Sequence, residues 1–197
     1  MKLLYTKRSP YARKVRIVAL EKGIHLELID EDLTKKSERL TAANPLGKIP
    51  TLILDNGETL CDSPVICQYL DSVNDKQKLI AVSSKERLRI LHLEAIADGL
   101  MDVTVGVYLE KVRHPNDLNK EWLTAQEQTI VRTLKYFENH LSELQKLSLA
   151  SIALASAIGY MNFRLPQIDV KYHSLKLSKW YEEISKRPSL EATKPVA

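Results

Sequence analysis

The hydrophobic positions in the first eighty residues alternate between short runs typical of strands and wider spacings typical of helices. Residues 2–5 have a strand pattern, and Pro10 then opens a helix that Gly23 ends, since proline's missing N–H is not needed in a first helical turn. Further strand patterns occupy residues 26–28, 51–54 and 59–61. Asp62 or Ser63 can cap the helix that follows. The predicted order is therefore βαβ, a loop segment and then ββα.

Beyond a polar stretch at about 74–84, the candidate linker, no strand pattern recurs and the apolar residues follow helical spacing. The predicted helices span about 88–112, 123–144, 149–161 and 175–186. The third is apolar on nearly all sides, as expected for a helix buried within a bundle. The pattern predicts an α/β domain over residues 1–78, followed by an all-helical domain over 85–197.

Composition and charge narrow the possible partners. With 44% apolar side chains, 6 Gly and 8 Pro in 197 residues, the chain can bury a substantial core. Its net charge of +4 is spread along the sequence, which does not favour a nucleic-acid partner and leaves anionic small ligands plausible.

Membrane and metal partners are not expected either. No run of eighteen apolar residues occurs and the N-terminus turns polar after five residues, so we expect a cytoplasmic protein with no membrane partner. Cys61 and Cys67 form no CxxC pair and the histidines are scattered, so we expect no metal site. Both cysteines are expected to be small buried apolar residues.

Four short motifs follow one another along the chain. They are Ser9-Pro10-Tyr11-Ala12-Arg13-Lys14-Val15-Arg16, Asn44-Pro45-Leu46-Gly47-Lys48-Ile49-Pro50, Asp62-Ser63-Pro64-Val65-Ile66 and Arg187-Pro188-Ser189-Leu190. In this order the set resembles the glutathione transferases over essentially the whole chain, and small bacterial members of the serine type most closely. Residues 31–37 are also similar to the plant tau class. The resemblance implies a thioredoxin-like domain that binds glutathione, followed by a C-terminal helical bundle.

Ser9 is the candidate catalytic residue. It lies where a strand gives way to a helix, and the free N–H groups and positive dipole of a helix N-terminus favour an anion there. A serine hydroxyl can donate a hydrogen bond to the glutathione sulfur and favour the reactive thiolate. The local sequence is equally consistent with a simple helix cap. Tyr5 is the alternative activator, because tyrosine-type members of the family carry their phenol near this position.

The resemblance implies further glutathione contacts in the second motif. The Ile49-Pro50 bond would be cis, with the Ile49 backbone paired to the cysteinyl backbone of glutathione. Lys48 would lie alongside, and Lys36 matches a tau-class lysine that contacts the glycine carboxylate. From the residues alone, an ordinary trans proline and solvated lysines fit equally well.

Asp62 and Ser63 match the part of the family site that holds the γ-glutamyl group. Ser63 would bind its carboxylate and Asp62 its ammonium group. Family members more often carry Glu before this serine, so Asp62 has a shorter reach. A plain helix cap is the alternative interpretation.

The remaining implied contacts involve the helical domain. In several classes an aspartate at the position of Asp98 reaches the γ-glutamyl group of the neighbouring subunit, which implies a homodimer. Candidates for the second-substrate pocket are Tyr11, Met101, Val105 and Tyr108. From the residues alone, a solvated aspartate and ordinary core residues fit equally well. At Ser148, where the buried helix begins, the family's later aspartate is replaced by Ser151, so we expect the charged return bond of the cap to be lost, at about 1 kcal/mol.

The resemblance implies a detoxifying transferase that joins glutathione, its co-substrate, to a small apolar electrophile without another cofactor. A glutathione-dependent reductase or isomerase is an alternative, although a reductase would favour cysteine at position 9. A non-catalytic adaptor resembling the stringent starvation protein is the third possibility, and it would not need to keep the Ile49-Pro50 and Asp62-Ser63 pairs.

Overall fold

Strand β1, Lys2–Tyr5, opens the chain in the computed structural model, which describes residues 1–196. Helix α1, Pro10–Lys22, follows with Ser9 as its N-cap. It ends at Gly23, whose φ of 63° lies in the left-handed region where a missing Cβ avoids strain. The predicted start and end of this helix are both confirmed.

The rest of the sheet and the helices beside it follow in chain order. They are β2 (Glu27–Asp30), α2 (Glu38–Ala43), β3 (Thr51–Ile53), β4 (Thr59–Cys61) and α3 (Ser63–Ser72). The sheet order is β2-β1-β3-β4, with β1 parallel to β2 and antiparallel to β3. Helix α2 lies where the sequence pattern predicted only a loop segment.

The interior of this unit is apolar on both sides of β1. Leu3 and Leu4 point to opposite faces of the strand, and both are completely buried. Helices α1 and α3 pack together, and Val18 and Ile66 are likewise buried. These apolar positions of β1, α1 and α3 therefore lie in the interior, whereas Leu28 in β2 is exposed.

A buried ion pair joins the ends of α1 and α3. Lys22 Nζ lies 3.2 Å from Asp71 Oδ1, with their side chains 0% and 7% exposed. Asp71 also accepts backbone N–H bonds from Leu79 and Ile80. This pair fixes the segment after α3, part of which the sequence pattern assigned to a polar linker.

The second half of the chain is helical. Its elements are α4 (Ser84–Arg113), α5 (Lys120–Asn139), a 3₁₀ turn (Leu141–Leu144), α6 (Leu149–Arg164), α7 (Val170–His173) and α8 (Leu175–Ile184). Helix α6 is buried continuously over residues 149–161, as its all-round apolar pattern predicted. It packs mainly against α4.

The cap at the start of α6 differs from the expectation. Ser148 Oγ accepts from the Ser151 N–H, and Ser151 Oγ accepts from the Ser148 N–H at 2.8 Å. The charged return bond is absent, as expected, but the Ser151 hydroxyl makes a neutral return bond in its place that the sequence pattern did not predict.

The contacts divide the chain into two compact units. The first contains Met1–Ala81 together with the residues from Pro188 onward, including the short helix α9 (Pro188–Glu191). The second contains Val82–Arg187. The predicted fold class, an α/β thioredoxin-like part and an all-helical part, is confirmed.

Candidate functional site

Three of the predicted site segments meet at one edge of the sheet. Leu4 in β1 lies opposite Thr51 in β3, and Thr51 lies opposite Cys61 in β4. Strands β1 and β4 therefore end, and β3 begins, at this edge. The predicted residues Ser9, Ile49, Pro50, Asp62 and Ser63 lie in the segments that flank these strand ends. The sheet register brings together groups that are up to 54 positions apart in the sequence.

Ser9 caps α1 and keeps a hydrogen to donate. Its Oγ accepts from the Ala12 N–H at 3.2 Å, and its backbone is extended, as for an N-cap. Within residues 1–196 the Ser9 hydroxyl donates to no acceptor, and the side chain is half-buried. The capping and thiol-activating interpretations are thus compatible, because one uses the oxygen and the other the hydrogen.

Tyr5 is a packing residue in this structure. It is 5% exposed, and the Arg16 guanidinium carbon lies 5.3 Å from the centre of its ring. Burial lowers the pKa of Arg16 below its ordinary value, while the nearby Tyr5 opposes this change. The burial of Tyr5 favours Ser9 as the group that meets a thiol.

The loop before β3 presents an unused backbone donor and acceptor. The Ile49-Pro50 peptide bond is cis. Neither the N–H nor the C=O of Ile49 makes a hydrogen bond to any residue that the structure describes. Ile49 is half-buried, so an extended peptide could pair with it.

Asn44 holds this loop in shape. Its Nδ2 donates to the Lys48 carbonyl at 2.9 Å and to Thr51 Oγ1 at 3.1 Å. Its Oδ1 accepts from the Leu46 N–H at 3.0 Å, and its side chain is almost completely buried. Asn44 belongs to the second sequence motif, but its role was not predicted from the sequence. An asparagine before Pro45 is a turn signal that could have suggested one.

Lys36 lies against the same loop. Gly47 has a φ of 56°, and a Cβ built on it would lie 3.0 Å from Lys36 Nζ. Lys36 and Lys48 are both exposed. The structure therefore brings the predicted Lys36 beside Gly47, the residue before Lys48, although 12 positions separate the two lysines.

A buried carboxylate fixes the loop that carries Lys36. Glu31 is 5% exposed and accepts from Ser37 Oγ at 2.8 Å. Its other oxygen accepts from Arg39 Nε at 3.1 Å and from an Arg39 Nη at 2.9 Å. These bonds join residues on both sides of Lys36 in the sequence, and they were not predicted from it.

Asp62 and Ser63 start α3 in an unusual conformation. Asp62 has a φ of 66° and a ψ of 135°, a region that non-glycine residues rarely adopt. Its Oδ1 accepts from the Ser63 N–H at 2.8 Å. Ser63 Oγ is buried and has no hydrogen-bond partner among residues 1–196. Such a hydroxyl is ready to donate to a ligand.

The candidates on the helical unit have different environments. Met101 is completely buried, whereas Val105 and Tyr108 are half-buried on the same face of α4. Any surface that these residues offer to a second substrate therefore comes from Val105 and Tyr108 rather than from Met101. Asp98 and Tyr11 are each half-buried.

Other features bear on the site's chemistry. Cys67 is buried as expected, but Cys61 is only half-buried. Within the described chain no three His, Cys, Asp or Glu side chains are grouped so that they could hold a metal ion. Over the same residues, no helix combines the length and apolar character needed to cross a membrane.

Comparisons with known proteins agree on one family. A family described as "Glutathione S-transferase, N-terminal domain" matches residues 8–73. An uncharacterized GST-like protein of Escherichia coli K12, YibF, is 34% identical over 99% of this chain and 98% of its own length.

Solved structures extend the similarity to the whole fold. A glutathione transferase family member from Pseudomonas fluorescens Pf-5 with bound glutathione has a TM-score of 0.92 and 38% identity, covering 100% of this chain and 99% of that one. A structure described as the same protein with S-(propanoic acid)-glutathione gives 0.91 and 39%, with complete coverage of both chains. A Methylobacillus flagellatus glutathione S-transferase with glutathione bound gives 0.93 and 36%, covering 99% of each.

Proposed function

Because the chain belongs to the glutathione S-transferase family, we propose that it joins glutathione to a small, mainly apolar electrophile, with Ser9 as the residue that activates the thiol. The observation that carries this proposal is a set of three unused groups beside one sheet edge. They are the Ser9 hydroxyl hydrogen, the Ile49 backbone pair and the buried Ser63 hydroxyl. A glutathione molecule presents a thiol, a peptide backbone and a carboxylate, which is the complementary set.

The sulfur would lie beside Ser9 at the N-terminus of α1. A free thiol has a pKa of about 8.5, so only a few per cent is ionised at neutral pH. A hydrogen bond from Ser9 and the positive end of the helix dipole both favour the thiolate. Accepting the Ala12 N–H makes the Ser9 hydroxyl a better donor, because hydrogen bonds in a chain polarise one another.

The two ends of glutathione would be held by different segments. Ser63 Oγ would donate to the γ-glutamyl carboxylate, and Asp62 would turn from the Ser63 N–H toward the ammonium group. Lys36 and Lys48 would supply positive charge for the glycine carboxylate. In this arrangement the Ile49 backbone pairs with the cysteinyl residue and sets the position of the sulfur.

The reaction that follows requires no further cofactor. The thiolate sulfur forms a bond to the electrophilic carbon, and the leaving group departs with its bonding electrons, or the double bond accepts a proton in an addition. A relative with S-(propanoic acid)-glutathione bound supports this reaction class, since that ligand is a thioether of glutathione. We assign the reaction to the removal of reactive electrophiles by a homodimer in which Asp98 reaches the neighbouring γ-glutamyl group.

Turnover of a chromogenic aryl halide tests the role of Ser9. Ser9→Ala should lower kcat/KM at pH 6.5 by about 10- to 100-fold, the value of a hydrogen bond to a charged group. The loss should shrink at high pH, where the thiol ionises without help. Glutathione affinity should change much less than kcat/KM, and Tyr5→Phe should retain most activity.

A cap control separates chemistry from stability. Asn119→Ala removes the side chain that accepts from the Trp122 N–H at the start of α5. Like the loss of the Ser9 cap, it should lower the free energy of unfolding by about 1 kcal/mol. It should keep its activity. Loss of turnover in Tyr5→Phe alone would assign the activating role to Tyr5 instead of Ser9. A wild-type protein that neither binds glutathione nor turns over would favour the adaptor instead.

A further inference from the structure

A half-buried arginine on the helical unit has aromatic neighbours but no acidic partner. Arg164 is the last residue of α6, and its guanidinium carbon lies 4.2 Å from the ring centre of Tyr108 and 4.2 Å from that of Phe163. Its Nε is buried without a hydrogen-bond partner. Across residues 1–196, the Arg164 side chain makes no hydrogen bond or ion pair, and its two Nη atoms are not buried.

Several other cations of the described chain pair with carboxylates. Lys22 is completely buried against Asp71. Arg39 meets the buried Glu31, and Arg89 meets Glu143. Arg164 differs from these because rings cover its guanidinium while its N–H edge stays unused. A planar guanidinium with free N–H groups matches the geometry of a carboxylate.

The position of Arg164 connects it to the second substrate. Tyr108 and Val105 are predicted second-substrate contacts on one face of α4, and Tyr108 is the ring that Arg164 covers. The negative C-terminal end of the α6 dipole favours a cation at this position, but it does not explain the orientation of the guanidinium. The guanidinium lies over the rings instead of donating to the last carbonyls of the helix.

We propose that Arg164 binds a carboxylate on the second substrate, so that the preferred electrophiles are apolar molecules carrying one acidic group. This inference rests on the proposed transferase function and narrows its substrate class. Tyr108 and Phe163 hold the guanidinium plane, and the Nη edge receives the carboxylate. The acidic group takes no part in the bond changes and serves only to orient the electrophilic carbon.

A matched pair of aryl chlorides tests the charge alone. 4-Chloro-3,5-dinitrobenzoate and its uncharged benzamide react in the same way with glutathione. The thiol proton passes to solvent, the sulfur bonds to the ring carbon that carries chlorine, and chloride leaves with the C–Cl electron pair. The ratio of kcat/KM for benzoate over benzamide, corrected for the uncatalysed rates, therefore isolates the contribution of the carboxylate.

The expected result is a loss of discrimination. Arg164→Gln should lower the benzoate-to-benzamide ratio about tenfold, as expected for a charge-assisted hydrogen bond. Arg164→Lys should retain part of the ratio, because it keeps the charge but not the planar fork. Arg132→Gln, which removes the same charge from an exposed site on α5, should leave the ratio as it is in the wild type.

Binding measured without turnover keeps the two proposals separable. If neither compound is turned over, the transferase function fails, and calorimetric binding of the benzoate and the benzamide to the intact protein decides the role of Arg164. Tighter binding of the benzoate that disappears in Arg164→Gln supports the site. A wild-type protein that shows no preference for the benzoate in turnover or in binding overturns it, as does a preference that Arg164→Gln retains.

Discussion

A buried hydroxyl without a partner reduces stability unless a ligand satisfies it, and Ser63 Oγ is such a group. Ser63→Ala removes the unsatisfied atom. The free energy of unfolding without ligand should therefore stay the same or rise by up to about 1 kcal/mol. Glutathione affinity should fall about tenfold or more, because the hydroxyl is proposed to donate to a carboxylate. Chemical denaturation and calorimetry measure the two effects separately.

Ser156 provides the matched control at the residue scale. It is also a completely buried helical serine, but its Oγ donates to the Ile152 carbonyl at 2.9 Å. Ser156→Ala should leave glutathione affinity as it is, and it should not gain stability as Ser63→Ala does. A Ser63→Ala variant that loses stability but keeps its affinity would contradict the proposed role.

Residue identities in the candidate site could be predicted from short motifs, but their environments could not. Ser9 and Ser63 were selected because the motifs resemble a known family. Ser63 Oγ has no hydrogen-bond partner among the described residues, and Asp62 has a positive φ. Both properties depend on how three strands end at one edge of the sheet. Met101 shows the same limit, since helical spacing places it on a face with Tyr108 but does not say how deeply that face is buried.

At the scale of elements, the loop before β3 depends on Asn44. Asn44→Ala removes two donated bonds and one accepted bond from a buried position. The expected loss of unfolding free energy is about 2 kcal/mol, with weaker glutathione binding because Ile49 is no longer held in place. Thermal denaturation and glutathione titration measure both changes.

Asn56 is the control for this loop. It lies exposed in the turn between β3 and β4, where its Oδ1 accepts from the Glu58 N–H and its Nδ2 donates to the Glu58 carboxylate. Asn56→Ala should cost less than about 1 kcal/mol and leave the glutathione affinity close to wild type. Equal effects of the two substitutions on affinity would show that Asn44 does not position the site.

An ion pair links α4 to the 3₁₀ turn after α5 and makes a small pH-dependent contribution. Hydrogen bonds from Arg89 lower the pKa of Glu143 below its ordinary value. A carboxylate with a lowered folded pKa stabilises the protein above its unfolded pKa, and this contribution disappears as the pH falls through the folded value. Glu143→Gln should therefore reduce the unfolding free energy by about 0.5 kcal/mol near pH 7, because the pair is partly exposed, and by less near pH 3.

Glu183→Gln tests whether this pH effect is specific. Glu183 pairs with Lys186 at 2.6 Å, but both side chains are mostly exposed. Its substitution should change the unfolding free energy little at either pH. If Glu143→Gln destabilises the protein equally at pH 3 and pH 7, lost packing rather than charge explains its effect.

Strong periodicity and clear caps made most elements predictable. Helices α1, α4 and α6 follow their apolar patterns, with Ser9, Gly23 and Ser148 at the expected ends. The short helix α2 was missed because a helix of 6 residues carries too few turns for a periodic signal. Its cap, in which Ser37 Oγ accepts from the Leu40 N–H, was the available clue.

For the whole molecule, the sequence pattern predicts residues 188–197 in the helical domain, whereas the contacts group Pro188 and the described residues after it with the first unit. Local pattern could not reveal this, because a helix of four residues has no periodicity and its partners are distant in sequence. An Arg13 Nη donates to the Leu190 carbonyl at 3.2 Å, and Ser189 Oγ donates to the Glu21 carboxylate. The first unit therefore includes residues from both the N-terminal and the C-terminal parts of the described chain.

Leu190→Ala tests this dependence, because Leu190 is completely buried and α9 packs on α1. Removing its side chain should lower the free energy of unfolding by about 3 kcal/mol. Amide hydrogen exchange should become faster mainly in β1, α1 and β3. Leu177→Ala in α8 removes the same side chain from an equally buried position in the second unit, so exchange should rise there instead. Because the proposed glutathione groups belong to the first unit, only Leu190→Ala should also weaken glutathione binding. Equal rises throughout the chain in both variants would show that the two units open as one, and the tail would then have no special role in the first unit.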